Sequence, residues 1–186
     1  MLECEVENIS ICGYPILLPF FCLRRMDESA LRVYPSSHLI YIIDGSYNTV
    51  NYWLIKSEPF EFSWEQLKKD KKTDWNGVRN YAARNNLRAM KKGDLAFFYH
   101  SNVGQAIVGI AKVLREYFPD DTAAEGDWSA VEFGPHKDLK QPVTLATLKQ
   151  DVFFKDMDLV RLGRLSVGKV VPAQFARICE MGGVKT

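Results

Sequence analysis

Residues 74–86, Asp-Trp-Asn-Gly-Val-Arg-Asn-Tyr-Ala-Ala-Arg-Asn-Asn, gather side chains that could hold a planar, charged ligand. Trp75 precedes a turn at Asn76-Gly77. Asn76, Asn80 and Asn85 carry amides that both donate and accept, Arg79 and Arg84 carry guanidinium groups, and Tyr81 adds a second ring. A stacking plane, edge hydrogen bonds and phosphate neutralisation are what recognition of an unstacked base requires. The same residues also fit a plainer reading, with Trp75 as a core anchor and the arginines on a solvated helix face. Composition alone does not separate the two.

Other chemistries find less support. Gly163-Arg-Leu-Ser-Val-Gly-Lys169 fits the first seven positions of a phosphate-binding loop, but the eighth, where magnesium needs Ser or Thr, is Val170. Val171-Pro172 follows, so no uninterrupted helix can start there, and a turn with a capped helix start is expected instead. His38, His100 and His136 lack neighbours at ligand spacing, and Cys179 stands alone on an apolar helix face, so no metal is expected. His100 and Ser101 are adjacent on a strand and would point to opposite faces. A Gly-x-Ser-x-Gly elbow is absent from the sequence, and the scattered carboxylates carry no acid–base signature. The expectation is no catalytic residue and no cofactor.

The 186 residues, 47% hydrophobic, 12% aromatic and 25% charged, place the chain in the ordinary globular range, which excludes collagen-like and wholly disordered classes. Four cysteines are too few for a disulfide scaffold. A net charge of +1 excludes a histone-like coat of bulk nucleic acid. That total conceals a break. Residues 1–50 hold three Arg, no Lys and six acids, a net −3, whereas the remainder holds 21 basic against 17 acidic residues, a net +4. Two parts are therefore expected: an N-terminal extension over 1–50 and a domain over 51–186. The extension reads as an over-extended gene start, with translation beginning at Val50. Within it, Ile9–Leu23 is apolar but preceded by Glu3, Glu5 and Glu7, and is interrupted by Gly13, Pro15 and Pro19, which fits neither a secretory signal nor a membrane span. The expected setting is cytoplasmic, or nuclear in a eukaryote, with no membrane partner and with the Asn8-Ile9-Ser10 sequon unused.

The elements that would position these residues follow from pattern. Tyr52–Ser57 is rich in aromatic and β-branched residues and stops at Glu58-Pro59, a strand. Ser63 to Gln66 fits a capping box opening a short helix, with Gln66 reaching back, and Lys68, Lys69, Lys71 and Lys72 suit its negative end. Asn80 caps a second helix that runs towards a stop at Gly93. Residues 94–100 and 105–114 form a hairpin around Ser101-Asn102-Val103-Gly104, with Gly109 small where a strand bends or is closely approached. Residues 128–133 and 142–145 read as two further short strands. Pro172 starts a last helix with Phe175, Ile178 and Cys179 inward, ending at Gly182-Gly183. The order is not βαβ alternation, and the predicted class is α+β, a curved or barrel-like sheet flanked by helices.

Five blocks in register carry a family resemblance: Tyr-Trp-Leu-Ile-Lys-Ser-Glu-Pro at 52–59, Trp-Asn-Gly-Val-Arg-Asn-Tyr-Ala-Ala-Arg-Asn at 75–85, Phe-Phe-Tyr-His-Ser-Asn at 97–102, Pro-Val-Thr-Leu at 142–145 and Arg-Leu-Ser-Val at 164–167. From about Asn51 onward the sequence resembles the EVE domain family. The resemblance implies a PUA-like fold, a small open β-barrel flanked by helices, shared with the YTH readers of methylated adenine and the ASCH domains. It implies a non-enzymatic module that holds a modified base of DNA or RNA, single-stranded or flipped from its strand, in an aromatic pocket. By position, Trp75 and Tyr99 would supply aromatic walls, Ser57, Asn76, Asn80 and Ser101 polar contacts, and Arg79, Arg84 and Arg164 phosphate contacts. Glu132-Phe-Gly-Pro-His136 departs from the pattern, where a more basic strand is expected. Two other classes stay open: a nucleic-acid-processing enzyme of ASCH-like type and a protein-interaction module.

Overall fold

The computed structural model describes residues 50–185 together with Ser10, Ile11, Tyr14 and Pro15. The chain divides into two units, Met1–Tyr47 and Asn48–Thr186. The described part of the first is an antiparallel pair, β1 (Ser10–Ile11) and β2 (Tyr14–Pro15). The expected over-extended start and most of Ile9–Leu23 lie outside the described residues. No described helix is long and apolar enough to cross a membrane.

The second unit is built on a six-stranded mixed sheet. Its strands are β3 (Tyr52–Ser57), β4 (Thr73–Trp75), β5 (Leu95–His100), β6 (Ala106–Pro119), β7 (Ser129–Thr144) and β8 (Val167–Val170), in the spatial order β4-β7-β6-β5-β3-β8. All neighbours are antiparallel except β3 and β5, which run parallel with Tyr52 opposite Leu95 and Ser57 opposite His100. A parallel pair needs a crossover. Here the crossover contains α1 (Trp64–Asp70), β4 and α2 (Tyr81–Ala89). The edge strands β4 and β8 do not meet, so the curved sheet stays open, as the α+β expectation required.

Local chemistry explains most element boundaries. The Ser63 hydroxyl accepts from the Gln66 N–H at 3.1 Å, and the Asn80 amide oxygen accepts from Ala83 N–H at 3.1 Å, so both expected caps form. The full capping box does not: the Gln66 side chain turns instead to Asp70, at 2.8 Å. Lys68 and Lys69 occupy the last turn of α1, where the dipole favours them. Lys68 pairs with Asp138 at 3.1 Å and Lys72 with Glu132 at 3.0 Å. Pro172 opens α5 (Pro172–Met181), which closes at Gly182 and at Gly183, φ +71°.

One expectation is corrected. Residues 129–144 form a single strand, not two, and the Glu132–His136 departure lies in its middle. Pro135 has no N–H to offer, and it sits opposite Ala111 where the β6–β7 register slips. Glu132 has its charge met by Lys72. Between β7 and β8 come three short elements that pattern did not reveal: α3 (Leu145–Gln150), a 3-10 turn (Val152–Phe154) and α4 (Asp158–Arg161).

Alternate strand residues feed two cores. Leu54, Phe97, Ile107 and Ile110 join Leu148, Phe154, Phe175 and Ile178 under α3, α4 and α5. Trp53, Ile55, Phe98, Val131 and Phe133 join Trp64, Leu67 and Leu87 under α1 and α2. Each fully buried side chain of this size stabilises by about 1.5–3 kcal/mol. β6 also feeds both cores, and the bulge near Ile107–Gly109 shifts its alternation so that Ile107 and Ile110 enter the same one. Gly109 is required there, because a Cβ would lie 2.3 Å from the Trp64 ring. Asp94, buried at the start of the β5 hairpin, accepts from Asn51 N–H, Lys91 N–H and the Trp53 indole N–H at 2.9–3.0 Å, and so ties the first turns of β3 and β5 together.

Candidate nucleic-acid interface

Because β3 and β5 run parallel, their C-terminal ends open at the same edge of the sheet. Ser101 N–H donates to the Ser57 carbonyl at 2.8 Å, so two of the expected polar contacts are adjacent. The Ser57 hydroxyl donates to the Phe62 carbonyl at 2.8 Å. That bond fixes the turn after Pro59, in which Glu61 N–H and Phe62 N–H both donate to the Glu58 carbonyl at 3.0 Å. The Phe62 ring meets Trp75 at 6.4 Å and 81°. Trp75, half-buried on β4 opposite Val131, is also held near right angles by Phe98 at 5.7 Å and Phe133 at 5.9 Å. Such edge contacts fix a ring's plane. Trp75, Phe62, Ser57 and Ser101 thus form one connected rim.

Arg164 lies on a turn held by Lys56, the residue before Ser57. Lys56 N–H donates to the Ser166 carbonyl at 2.9 Å, and its ammonium donates to the carbonyls of Leu162 and Gly163 at 3.3 and 3.1 Å. Burial pushes the Lys56 pKa below the usual lysine value, against the pull of Asp158. The pinned turn presents Arg164 to solvent, and among the described residues it makes no ion pair. The loop resembling a phosphate cradle is therefore a turn followed by a strand, β8, and not a helix start.

The remaining expected residues are distributed otherwise. Tyr99 does not face Trp75. It is 3% exposed and packs in the opposite core with Leu54 and Phe97, because neighbouring strand residues point to opposite faces. Burial raises its phenol pKa. The ring on Trp75's side is Phe98, with Phe62 beyond it, and strand parity could have indicated the former. Asn76 is exposed next to Trp75, its N–H donating to the Asp74 carbonyl at 3.0 Å. Asn80 spends its amide oxygen on the α2 cap.

Arg79 and Arg84 are not free cations. Arg79 bonds Asp120 at 2.7 Å and Thr122 Oγ1 at 3.1 Å. The Asp120 carboxylate is fully buried and also accepts from Gly77 N–H, Thr122 N–H and the Thr122 hydroxyl. Burial works against its ionisation, but the bonds from Thr122, Arg79 and Gly77 outweigh it and hold the pKa at about 2. Arg84 donates to the Asp127 carbonyl at 2.9 Å and lies over the Tyr81 ring. Both arginines thus brace residues 120–128 against the start of α2. His100 is also engaged: its Nε2 accepts from Trp64 N–H at 3.2 Å, and burial lowers its pKa against the opposing pull of Glu65.

An open mixed sheet whose parallel strand ends meet an aromatic and hydroxyl rim defines a PUA-like binding module. The chain belongs to the EVE domain family, whose family model matches residues 51–181. It is 48% identical to mouse thymocyte nuclear protein 1 over 74% of this chain and 76% of that one. A crystal structure of a protein from Agrobacterium tumefaciens is 46% identical and superimposes with a TM-score of 0.70, covering 73% of this chain and 94% of that one. Human THYN1, solved in complex with DNA containing 5-methylcytosine, is 33% identical with a TM-score of 0.67, covering 73% of this chain and 99% of that one.

Proposed function

We propose that this chain is a non-enzymatic reader of modified nucleic acid, which takes a flipped or single-stranded modified base against Trp75 at the open ends of β3 and β5. The observation that carries the reading is the rim itself: a half-buried indole with its plane fixed by three other rings and joined through Phe62 to Ser57 and Ser101. An indole held in this way can stack on a base without reorganising, and the exposed Asn76 amide beside it offers a donor and an acceptor to the base's edge. The exposed Arg164, which makes no ion pair among the described residues, is the cation offered to a flanking phosphate in this reading. The DNA-bound relative supports DNA over RNA as the partner, and a nuclear setting accords with the relatives' name. The non-enzymatic reading draws support from the committed state of the nearby titratable groups. His100 accepts a backbone N–H, and Asp120 is held ionised by four donors, so neither is poised to exchange a proton with a ligand.

The test is a binding screen over matched oligonucleotides, DNA and RNA, that differ only at one modified base. A single modification preferred at least ten-fold, with the preference abolished in Trp75→Ala, supports the reading. Equal binding of every strand by the folded protein refutes it.

A further inference from the structure

Tyr81, Arg84 and Arg88 follow one another on α2 at spacings of three and four, which places them along one helix face. Tyr81 is 68% exposed, and its ring stacks on Trp128 with centroids 5.1 Å apart and planes 25° from parallel. Arg84 lies 5.0 Å over Tyr81 and 5.8 Å over Trp128, and Arg88 lies 5.8 Å from the ring of the half-exposed Tyr117.

Both guanidinium groups converge on Asp127. Arg84 donates to its carbonyl at 2.9 Å and stands 3.8 Å from its carboxylate; Arg88 bonds the carbonyl at 3.3 Å and the carboxylate directly. Arg88 is itself oriented by Ser129, whose hydroxyl accepts from Nε at 2.8 Å. The Asp127 side chain is nonetheless 75% exposed, unlike the buried Asp120 that locks Arg79. It rides on Gly126, φ +91°, where a Cβ would meet the Trp128 indole nitrogen at 2.7 Å. The bonds to the Asp127 carbonyl suffice to brace this segment against α2, whereas a carboxylate this exposed adds little to folding stability, which leaves the carboxylate itself to be explained.

An exposed carboxylate between two arginines, next to stacked rings, reproduces the contacts of a phosphodiester whose base lies on an aromatic plane. We propose that this face of α2 is a second binding surface, for the sugar–phosphate backbone of single-stranded nucleic acid, on which Asp127 holds the place of a phosphate and is displaced by one. The proposal rests on the nucleic-acid part of the reading above, but it assigns a contact that does not depend on the modified base. Displacement would leave Arg84 and Arg88 facing a phosphate, while Tyr81 offers its exposed surface to the adjoining base. The surface has a built-in threshold, because a strand must compete with Asp127 before it binds.

The test measures binding of the full chain to an unmodified single-stranded DNA of about twelve nucleotides by fluorescence anisotropy, across a salt series. Asp127→Asn should tighten binding several-fold and steepen the log–log salt slope by about 0.7 for each phosphate newly neutralised. Arg88→Ala should weaken binding and flatten the slope by a similar amount. Tyr81→Ala should cost roughly ten-fold. Tyr81→Leu, which keeps apolar bulk without a ring, should behave as Tyr81→Ala does, and denaturant midpoints on the same samples separate binding from folding. Each change should act equally on modified and unmodified strands, whereas Trp75→Ala should remove only the preference for the modified one. Asp127→Asn binding no tighter than the original chain, or either Tyr81 variant binding as well as it does, overturns the surface proposal; if the modified strand is still preferred, the pocket reading stands. The reverse result, surface effects without any preference, refutes the pocket alone. Capture of a phosphorylated peptide in place of the strand overturns the surface proposal as stated.

Discussion

Tyr99 and Trp75, which the family resemblance pairs as two walls of one pocket, lie on opposite faces of the sheet and show how differently two aromatic side chains can be placed. Beneath α3, α4 and α5, Phe97 and Phe175 stack at 4.5 Å with Tyr99 buried beside them, and the half-buried Tyr52 carries the stack on to the edge at 4.0 Å. On the α1 and α2 side, the core runs out into a half-buried rim of Phe62 and Trp75. Aromatic rings serve both, but Tyr99 is fully enclosed whereas Trp75 is half-open to solvent. Aromatic content therefore does not locate a site; incomplete enclosure does.

The sharpest way to break this comparison is to truncate one ring on each side. Tyr99→Ala should lower stability by about 3–5 kcal/mol, the cost of removing a core aromatic, with unchanged affinity for each folded molecule; paired denaturation and titration would reveal it. Loss of modified-base preference without loss of stability would return Tyr99 to the pocket.

Next in size is the anchor of the 120–128 segment. Asp120→Ala leaves the Arg79 charge and three other donors without their acceptor and should cost about 3 kcal/mol, read as a shift in denaturant midpoint. Its pH signature has a definite sign. The folded-state pKa, about 2, lies below the ordinary 3.8, so the carboxylate's contribution is full above pH 4 and drains away as pH falls towards 2. Acid titration of stability should show this loss in the original chain, and a smaller loss in Asp120→Ala.

Trp75→Ala should act mainly on binding, weakening the preferred modified strand ten- to a hundred-fold, while stability falls by much less than in Tyr99→Ala. A midpoint shift as large as that of Tyr99→Ala, with affinity intact, would make the two faces equivalent and dissolve the contrast. The smallest effect belongs to Arg164→Ala: a salt slope flatter by about 0.7, with selectivity retained. A changed base preference at constant slope would show that Arg164 contacts a base.

Much of the framework was legible because its signals are local. Ser63 and Asn80 cap the helices they precede, Pro172 opens the last one, and the β5–β6 hairpin turns where Gly104 allows. Long-range partners were not legible. Asp120 meets Arg79 across 41 positions and Asp127 meets Arg84 across 43, so nothing in the 74–86 stretch discloses that its two cations are already occupied. The long β7 escaped notice because Gly134-Pro135 reads as a break, and only the slip in β6 lets the strand continue through it. Tyr99 was a different kind of miss. Strand parity separates it from Phe98, whereas its place in a family motif carries no information about which face of the pleat it takes.

The parallel pairing of β3 with β5 has a consequence for how such a site can change. The chain leaves β3 at Ser57 and does not rejoin the neighbouring strand until Leu95, and in that single excursion it delivers Phe62, Trp75, Asn76 and the whole of α2. Each of its ends is pinned to the neighbouring strand, Ser57 by Ser101 at one edge of the sheet and Asp94 by Asn51 and Trp53 at the opposite edge. The excursion is thus a cassette. Descendants can rewrite it, and with it the choice of ligand, while the helices on the far side of the sheet inherit their packing unaltered; grafts between distant relatives should be cut at residues 58 and 94.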